Sequence, residues 1–197
     1  TKEIGIKPTP SIGGVGLIKN YKKMITMDLK EINNLVLIIG KTEGHIDQSL
    51  FARTILDEKN GPPPEINLFN EKNNGESLLN LIEKDYIKSA HDISLGGLIT
   101  AISKMCIKGD KGIKLKKPKN LINDIEYLFA EDQGRYLIEV NPQDLKNVSK
   151  ILDKNSVFHE ELGVIIDKEI IINEKTKLTI DELRSYNTSW LKNYMDA

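Results

Sequence analysis

The chain has 197 residues, of which 39% are hydrophobic and 29% charged, a balance typical of a globular protein with a sizeable core. Its 28 basic and 29 acidic residues give a formal net charge of −1, which argues against a nucleic-acid partner because such binding relies on a positive surface. The sequence contains no apolar run of membrane-spanning length and no secretory signal, so no membrane partner is expected. Its one cysteine, Cys106, excludes a disulfide within the chain and predicts a reducing, cytoplasmic location.

The first sixty residues predict strands followed by a helix. The chain starts without Met, which is consistent with a cut point at its first residue. Residues 12–18 predict a glycine-rich strand, and residues 22–28 predict a more exposed one. Residues 35–40 form a continuous apolar run, which is typical of a buried strand. A helix is predicted over residues 47–57, and residues 60–64, Asn-Gly-Pro-Pro-Pro, are expected to end it and form a stiff linker.

The middle of the chain predicts two helices around a short strand. The first helix is expected after Asn74-Gly75, and the strand that follows ends in His91-Asp92. Apolar residues then recur at helical spacing up to Gly109, so a helix with one buried face is expected. That face comprises Leu98, Ala101, Ile102, Met105 and Cys106. Ser94 is the predicted N-cap of this helix.

The second half predicts further alternation of strands and helices. Strands are predicted over residues 112–116 and 136–140, with a helix over residues 120–129 between them. Asn141-Pro142 predicts the start of the next helix, because Asn caps and Pro fits the first helical position. Its predicted buried face comprises Leu145, Val148, Ile151 and Leu152.

The last part of the chain predicts a hairpin and a final helix. Residues 162–166 and 169–172 predict the two strands of the hairpin, which turns about Asp167-Lys168. Thr179 and Glu182 predict a capping box at the start of the helix. The whole pattern predicts an α+β fold, a mixed β-sheet packed with helices.

Residues 89–98 contain the first candidate site. His91 and Asp92 end the predicted strand, and Gly96 and Gly97 precede the predicted helix. Glycines would let a ligand approach the backbone, and a helix N-terminus attracts phosphate. The alternative is an ordinary tight turn in which Asp92 binds backbone N–H groups. The residues alone favour the turn.

The densest polar cluster consists of Glu131, Asp132, Gln133 and Arg135. Two carboxylates can hold Mg²⁺, and an arginine can bind a phosphate with two hydrogen bonds. The alternative is a solvated turn with local salt bridges, which contribute little to stability. From the residues alone the solvated turn is favoured.

A third polar cluster, His45, Asp47, Gln48 and Ser49, lies between the predicted buried strand and the helix after it. Such strand ends face ligands in open α/β sheets, but Asp47 or Ser49 could equally be a helix cap, and the residues leave both interpretations open. His159 is expected on the surface. No two histidines have zinc-site spacing, and no Walker-type loop is present.

Six stretches together resemble the carboxyl-terminal part of the phosphoribosylformylglycinamidine synthase family, the synthetase subunit of the fourth step of purine biosynthesis. They are PTPSIGGVG at 8–16, GKTEGH at 40–45, QSL at 48–50, GPPP at 61–64, HDISLGGL at 91–98 and EDQGRY at 131–136. Each is a weak motif, but their common order is specific, and the resemblance covers essentially the whole chain. The family lies in the aminoimidazole ribonucleotide synthetase-like superfamily.

The resemblance implies an ATP-dependent C–N ligase. Such enzymes use ATP to activate the formyl amide oxygen of formylglycinamide ribonucleotide, which is then displaced by ammonia that a partner makes from glutamine. ATP and Mg²⁺ are the implied cofactors. The implied partners are the rest of the synthetase chain, a glutaminase subunit and a small accessory subunit. The implied fold is aminoimidazole ribonucleotide synthetase C-terminal-domain-like, with residues 1–30 ending the preceding domain and residues 31–197 forming this one.

The resemblance implies a binding site without catalytic residues. The family's catalytic histidine lies in an earlier half, and an ATP-contacting Gly-Asn-Val-Ser segment lies upstream, so the chain alone is expected to be inactive. The implied nucleotide- or substrate-binding residues are His91, Asp92, Gly96, Gly97, Gln133 and Arg135, and the implied metal ligands are Glu131 and Asp132. They would form a second, pseudo-symmetric site, which in some members holds a nucleotide without turning it over.

Two departures from the family pattern bear on this site. Leu95 stands where the family usually has Asp, and Asp47 stands where it usually has Gly. Both favour an alternative, a structural and partner-docking domain with no ligand site of its own. A sister enzyme, such as thiamine-monophosphate kinase or selenophosphate synthetase, is a further alternative, which the stretches at 61–64 and 131–135 disfavour.

Overall fold

A computed structural model describes residues 10–116, 123–174 and 176–196. The strands in these parts of the chain are β1 Leu35–Ile39, β2 Ser89–Asp92, β3 Gly112–Leu115, β4 Tyr136–Val140, β5 His159–Ile166, β6 Glu169–Ile172 and β7 Thr176–Thr179. The α-helices are α1 Leu50–Thr54, α2 Leu68–Glu83, α3 Gly97–Gly109, α4 Asp124–Phe129, α5 Leu145–Lys154 and α6 Ile180–Met195.

The strands form one mixed sheet in the order β2-β4-β1-β5-β3-β6-β7. All neighbouring strands are antiparallel except β3 and β6, which are parallel. The predicted α+β class with a mixed sheet is confirmed. β1 lies inside the sheet with helices over both faces, which explains its unbroken apolar sequence. Val36 and Ile38 contribute to one core cluster, whereas Leu37 and Ile39 contribute to the other.

The two clusters bind different helices to the sheet. The first contains buried residues of α3, α4 and α6, and the second contains buried residues of α2 and α5. The predicted apolar face of α3 is confirmed, because all five of its residues are buried. Burial raises the pKa of the Cys106 thiol to about 12, so this cysteine is an inert core residue. Val148 and Leu152 confirm the buried face of α5.

The predicted hairpin of residues 162–166 and 169–172 is wrong. β5 and β6 both occur, but β3 lies between them and pairs with each. Gly112 allows this close approach, since a Cβ there would lie 2.0 Å from the carbonyl oxygen of Glu169. The antiparallel pair at this edge is instead β6 with β7.

The two strands predicted before β1 are also wrong. Residues 12–18 form no strand and are exposed, with Val15 and Ile12 almost fully accessible to solvent. In place of a strand over 22–28 the chain forms a 3-10 turn at Tyr21–Lys23 and a single bridge from Thr26 to Ser89.

Several helix boundaries differ from the predicted ones. α1 has only five residues, and α2 begins before Asn74-Gly75, where the Asn67 side chain caps it. Residues 120–122 of the predicted fourth helix lie outside the described residues. α5 starts three residues after Pro142, because Asn141 accepts the Gln143 N–H in a preceding turn. The capping box of Thr179 and Glu182 is confirmed. No helix within the described ranges has the length and apolarity needed to cross a membrane.

A buried carboxylate joins the segment before β1 to the sheet. Glu139 of β4 is fully buried. It accepts hydrogen bonds from the backbone N–H groups of Lys30 and Glu31 at 2.8 and 3.0 Å. It also accepts the Asn34 amide at 2.7 Å and the Ser89 hydroxyl at 3.0 Å. Four donors therefore satisfy one buried charge, and two segments depend on it.

Candidate functional site

Three loops meet at one end of the sheet. Because β4 runs antiparallel to both β1 and β2, its first residue, Tyr136, pairs with the last residues of those strands, Ile39 and Asp92. The turn before β4 therefore lies beside the loop after β1 and the turn after β2. All three sequence-predicted polar clusters are brought to this one end.

Asp132 faces the protein. It is 8% exposed, and its carboxylate accepts the backbone N–H groups of Glu43, Gly44 and His45 at 3.0, 3.2 and 3.1 Å. Successive backbone N–H groups form a concave site for an anion, and here the Asp132 carboxylate occupies it. The side chain thus fixes the path of the loop after β1.

Glu131 connects two helix starts. Its Oε1 accepts the N–H of Leu50 and the N–H of Gly96, both at 2.7 Å. Leu50 is the first residue of α1, and Gly96 is the N-cap of α3. A carboxylate at a helix N-terminus is favourable, and Glu131 occupies the position where a ligand phosphate was predicted.

Arg135 is a core residue. Its side chain is fully buried, and the guanidinium donates to the carbonyl oxygens of Asp132 and Ala130 at 3.1 and 2.6 Å and to the Thr42 hydroxyl at 3.0 Å. Burial lowers the pKa of Arg135, while the nearby Asp132 carboxylate raises it. The guanidinium therefore binds the turn to the loop after β1, and none of its surface faces a ligand.

The two glycines at the start of α3 serve helix packing. The prediction of Ser94 as N-cap is wrong, because the N-cap is Gly96 with φ 86°. Gly97 has φ 70°, and a Cβ there would lie 2.7 Å from the backbone of Phe129 and Ala130. Only glycine fits this conformation and this contact, so α3 begins directly against the end of α4.

His91 and Asp92 lie at the end of β2, as the sequence predicts. Asp92 is 60% exposed and lies 3.1 Å from Nδ1 of His91, whose side chain is only 12% exposed. Nε2 of His91 is buried and has no hydrogen-bond partner among the described residues. Burial lowers the pKa of His91, with Lys104 adding to this and Asp92 opposing it. The fold thus tolerates His91 rather than needing it.

We expect His91→Phe to leave the free energy of unfolding near pH 7.5 within about 1 kcal/mol of the parent value, or above it, because it removes an unsatisfied buried nitrogen. The unfolded chain binds a proton more readily than the folded one, so the parent should lose stability as the pH falls below about 6.5. The variant should lose less stability over the same pH range. Urea unfolding at several pH values measures both effects.

His159→Phe is the matched control for this prediction. Nδ1 of His159 lies 3.2 Å from the Val157 carbonyl oxygen, and its side chain is 16% exposed. Its replacement should cost about 1 kcal/mol. A loss above about 2 kcal/mol in His91→Phe would contradict the unsatisfied state of Nε2.

Gln133 is the exposed member of the turn and lines two clefts. The larger, here named the α2 cleft, has a volume of about 830 Å³. Its lining comprises Lys41, Glu43, Gly44, His45, Glu65, Ile66, Asn67, Leu68, Asn70, Glu71, Asn74, Asp132, Gln133 and Gly134. The smaller cleft, of about 250 Å³, lies beside Pro63, Pro64 and Leu95. Of the predicted site residues, Gln133 is therefore the one best placed to meet a ligand.

The cluster after β1 is mostly structural. Ser49 caps α1 by accepting the Ala52 N–H at 3.0 Å, so the cap interpretation is confirmed for Ser49. Nε2 of His45 lies 3.1 Å from the Pro62 carbonyl oxygen, and Gln48 donates to that of Gly61. These two side chains hold the proline-rich linker over the loop.

Sequence reasoning missed the contribution of α2. Asn67, Asn70, Glu71 and Asn74 recur at spacings of three and four, which places them along one helix face. All four line the α2 cleft, and Asn74 donates to the carbonyl oxygen of Gly134 at 2.8 Å. This polar stripe was a detectable signal, because core-facing helices carry apolar residues at that spacing.

The predicted metal site gains no support from the geometry. Among the described residues no group of three His, Cys, Asp or Glu side chains is placed to hold a metal ion. The carboxylates of Glu131 and Asp132 are engaged by backbone N–H groups. The metal and nucleotide roles assigned to these residues stay predictions.

We expect Asp132→Ala to lower the free energy of unfolding by about 2–3 kcal/mol, because three backbone donors lose a charged acceptor. Amide hydrogen exchange at residues 43–45 should accelerate at the same time. Glu43→Gln is the control in the same loop, since the Glu43 side chain forms an exposed ion pair with Lys41 and its replacement should cost under about 0.5 kcal/mol. Equal stability of the two variants would show that Asp132 does not position the loop.

The comparisons with known sequences agree with one family. The family model described as AIR synthase related protein, C-terminal domain, matches residues 31–173. The chain is 67% identical over 196 residues to the phosphoribosylformylglycinamidine synthase subunit PurL of Pelagibacter ubique, which covers all of this chain and 27% of that protein. It is 36% identical to the PurL subunit of Bartonella henselae, over 96% of this chain and 26% of that protein. The chain thus spans about a quarter of these relatives.

Solved structures share the fold. Thermotoga maritima PurL complexed with FGAR superimposes with a TM-score of 0.68 at 18% identity, over 83% of this chain and 30% of that chain. The complex of the same protein with ATP superimposes with a TM-score of 0.63 at 18% identity, over 83% of this chain and 27% of that chain. Thiamine-monophosphate kinase from Stenotrophomonas maltophilia superimposes with a TM-score of 0.54 at 11% identity, over 77% of this chain and 54% of that chain. The family match across most of the length shows that the chain belongs to the AIR synthase related proteins, as their C-terminal domain.

Proposed function

We propose that this chain is the C-terminal part of a phosphoribosylformylglycinamidine synthase of the PurL type. Such an enzyme is an ATP-dependent ligase of purine biosynthesis, which converts formylglycinamide ribonucleotide, ATP and glutamine-derived ammonia to the amidine. The observation that carries the proposal is the 67% identity over 196 residues to a PurL subunit. We place the protein in the cytoplasm, with the rest of the synthetase chain, a glutaminase subunit and a small accessory subunit as partners. A PurLQS structure from Thermotoga maritima supports partner subunits.

We propose the same domain division as the sequence indicates. Residues 1–30 would end the preceding domain, and residues 31–197 would form this one. Two observations support it: the family match begins at residue 31, and the apolar side chains of Ile12, Val15 and Leu17 are exposed. An exposed apolar segment of this kind fits a strand that completes another sheet.

A chimera tests the proposal. This chain replaces the matching 196-residue segment of the Pelagibacter ubique subunit, and formation of the amidine is measured with ammonia as the nitrogen source. We expect activity within about tenfold of the parent, and no activity from the 197-residue chain by itself. A folded but inactive chimera would refute the proposal, provided that a chimera with the Bartonella henselae segment is active.

The residues present do not fit Mg²⁺ or a phosphate chain at the 131–135 turn. Hydrogen bonds to backbone groups or to Thr42 already engage the side chains of Asp132, Glu131 and Arg135. Binding a ligand instead would break these bonds and release the loop that each one holds. We therefore propose that these three are positioning residues and that Gln133, which is exposed and lines both clefts, is left for ligand contact. This favours a second candidate function, a structural domain whose turn carries no metal.

A further inference from the structure

We infer that the α2 cleft binds a nucleoside, a heterocyclic base with its ribose, and that the negative charge of its lining disfavours a phosphate group on that ligand. The inference deepens the proposed function and rests on it for the class of ligand. It concerns α2 residues that the sequence comparison with the family did not single out.

The cleft is of suitable size and its walls are fixed. Its volume of about 830 Å³ lies within the range of roughly 300–1,000 Å³ typical of small-molecule sites. Asn74 ties α2 to Gly134, and Asp132 ties the same turn to residues 43–45. Three separate chain segments therefore hold the walls before any ligand arrives, which reduces the ordering cost of binding.

The charge of the lining disfavours phosphate. Lys41 is the only lysine or arginine among the described residues that line the cleft, and its Nζ lies 3.0 Å from the Glu43 carboxylate. Asp132 is engaged by backbone donors, and Glu65 and Glu71 form no ion pair with any residue that the structure describes, so they leave the lining negatively charged. Carboxylates repel phosphate but accept hydrogen bonds from ribose hydroxyls.

The remaining side chains suit a base. The side-chain oxygen Oδ1 of Asn67 caps α2 by accepting the Asn70 N–H at 3.0 Å, which leaves the side-chain NH₂ of Asn67 as a donor. Asn70 and Gln133 are exposed and present amides that both donate and accept. Ile66 and Leu68 add apolar surface, being 63% and 77% exposed. A flat heterocycle with polar edges matches this combination.

Calorimetric titration of the 197-residue chain with adenosine and with AMP tests the inference. We expect saturable adenosine binding, with AMP at least about tenfold weaker. Glu71→Gln should weaken adenosine binding at least about tenfold and reduce the ratio of the affinity for adenosine to that for AMP. Glu76→Gln is the matched control on the same helix, since Glu76 is 65% exposed, pairs loosely with Lys72 and lies outside the cleft. It should leave both affinities unchanged.

Three outcomes would overturn the inference. The first is that the folded chain shows no saturable binding of adenosine. The second is that AMP binds as tightly as adenosine. The third is that the organic cation spermidine binds and the nucleoside does not. An active Pelagibacter chimera combined with any of them would refute the inference and leave the proposed function standing. An inactive chimera with adenosine binding intact would do the reverse.

Discussion

Replacement of Glu139 by alanine is expected to lower the free energy of unfolding by about 3–5 kcal/mol, the largest loss we expect from any single carboxylate in this chain. The carboxylate is fully buried, and the variant would leave buried donors of Lys30, Glu31, Asn34 and Ser89 without their charged acceptor. Urea unfolding followed by circular dichroism measures the effect.

Two further variants identify the cause of that loss. Glu139→Gln keeps one accepting oxygen and should lose roughly half as much. Glu161→Ala on β5 removes a carboxylate that is 30% exposed and paired with Lys116, and should cost less than about 1 kcal/mol. If Glu139→Ala behaves like Glu161→Ala, the segment before β1 is not held by this side chain.

The second large effect is expected at Arg135. Arg135→Ala should cost about 4–5 kcal/mol, because it opens a cavity beneath the turn and removes three hydrogen bonds from a fully buried site. Arg135→Lys should remain well below the parent in stability, since one ammonium cannot reproduce the planar fork of donors. Thermal unfolding of both variants checks this.

The Arg135 variants also separate two roles. A phosphate-binding arginine would lose affinity on replacement while the fold kept its stability, whereas a core arginine loses stability first. Arg53→Ala on α1 is the control, because Arg53 is exposed and its Nε donates a hydrogen bond to the Ser49 carbonyl oxygen at 3.3 Å. Wild-type stability of Arg135→Ala together with lost nucleotide binding would contradict the core role.

The elements with strong local patterns were predictable. The apolar face of α3, the unbroken run of β1 and the capping box at Thr179 each depend on residues close in sequence. The position of β3 between β5 and β6 was not, because alternation of side chains indicates a strand but not its neighbours. The glycine-rich stretch at 12–18 has strand-like composition and no partner strand within the described part of the chain.

The sequence predicted which residues gather at the candidate site, but not what each side chain does there. The three polar clusters do converge, because β4 runs antiparallel to β1 and β2. Sequence could not show that Asp132 accepts N–H groups of residues 43–45, which lie almost half the chain away. Whether a carboxylate faces solvent or a distant backbone depends on the tertiary fold. A carboxylate that binds a ligand and one that holds a loop therefore cannot be told apart in the sequence.

The position of β3 also has a consequence for the kinetics of folding. β6 follows β5 almost immediately in sequence, yet within the described sheet it connects to β5 through β3, by contacts such as Leu115 with Gly163 and Ile113 with Ile170. Such distant contacts must overcome the entropy of loop closure before they stabilise anything, which slows folding. The local β6–β7 pair can form early, but the amide groups that join β6 to β3 should therefore be among the last to gain protection from exchange during refolding.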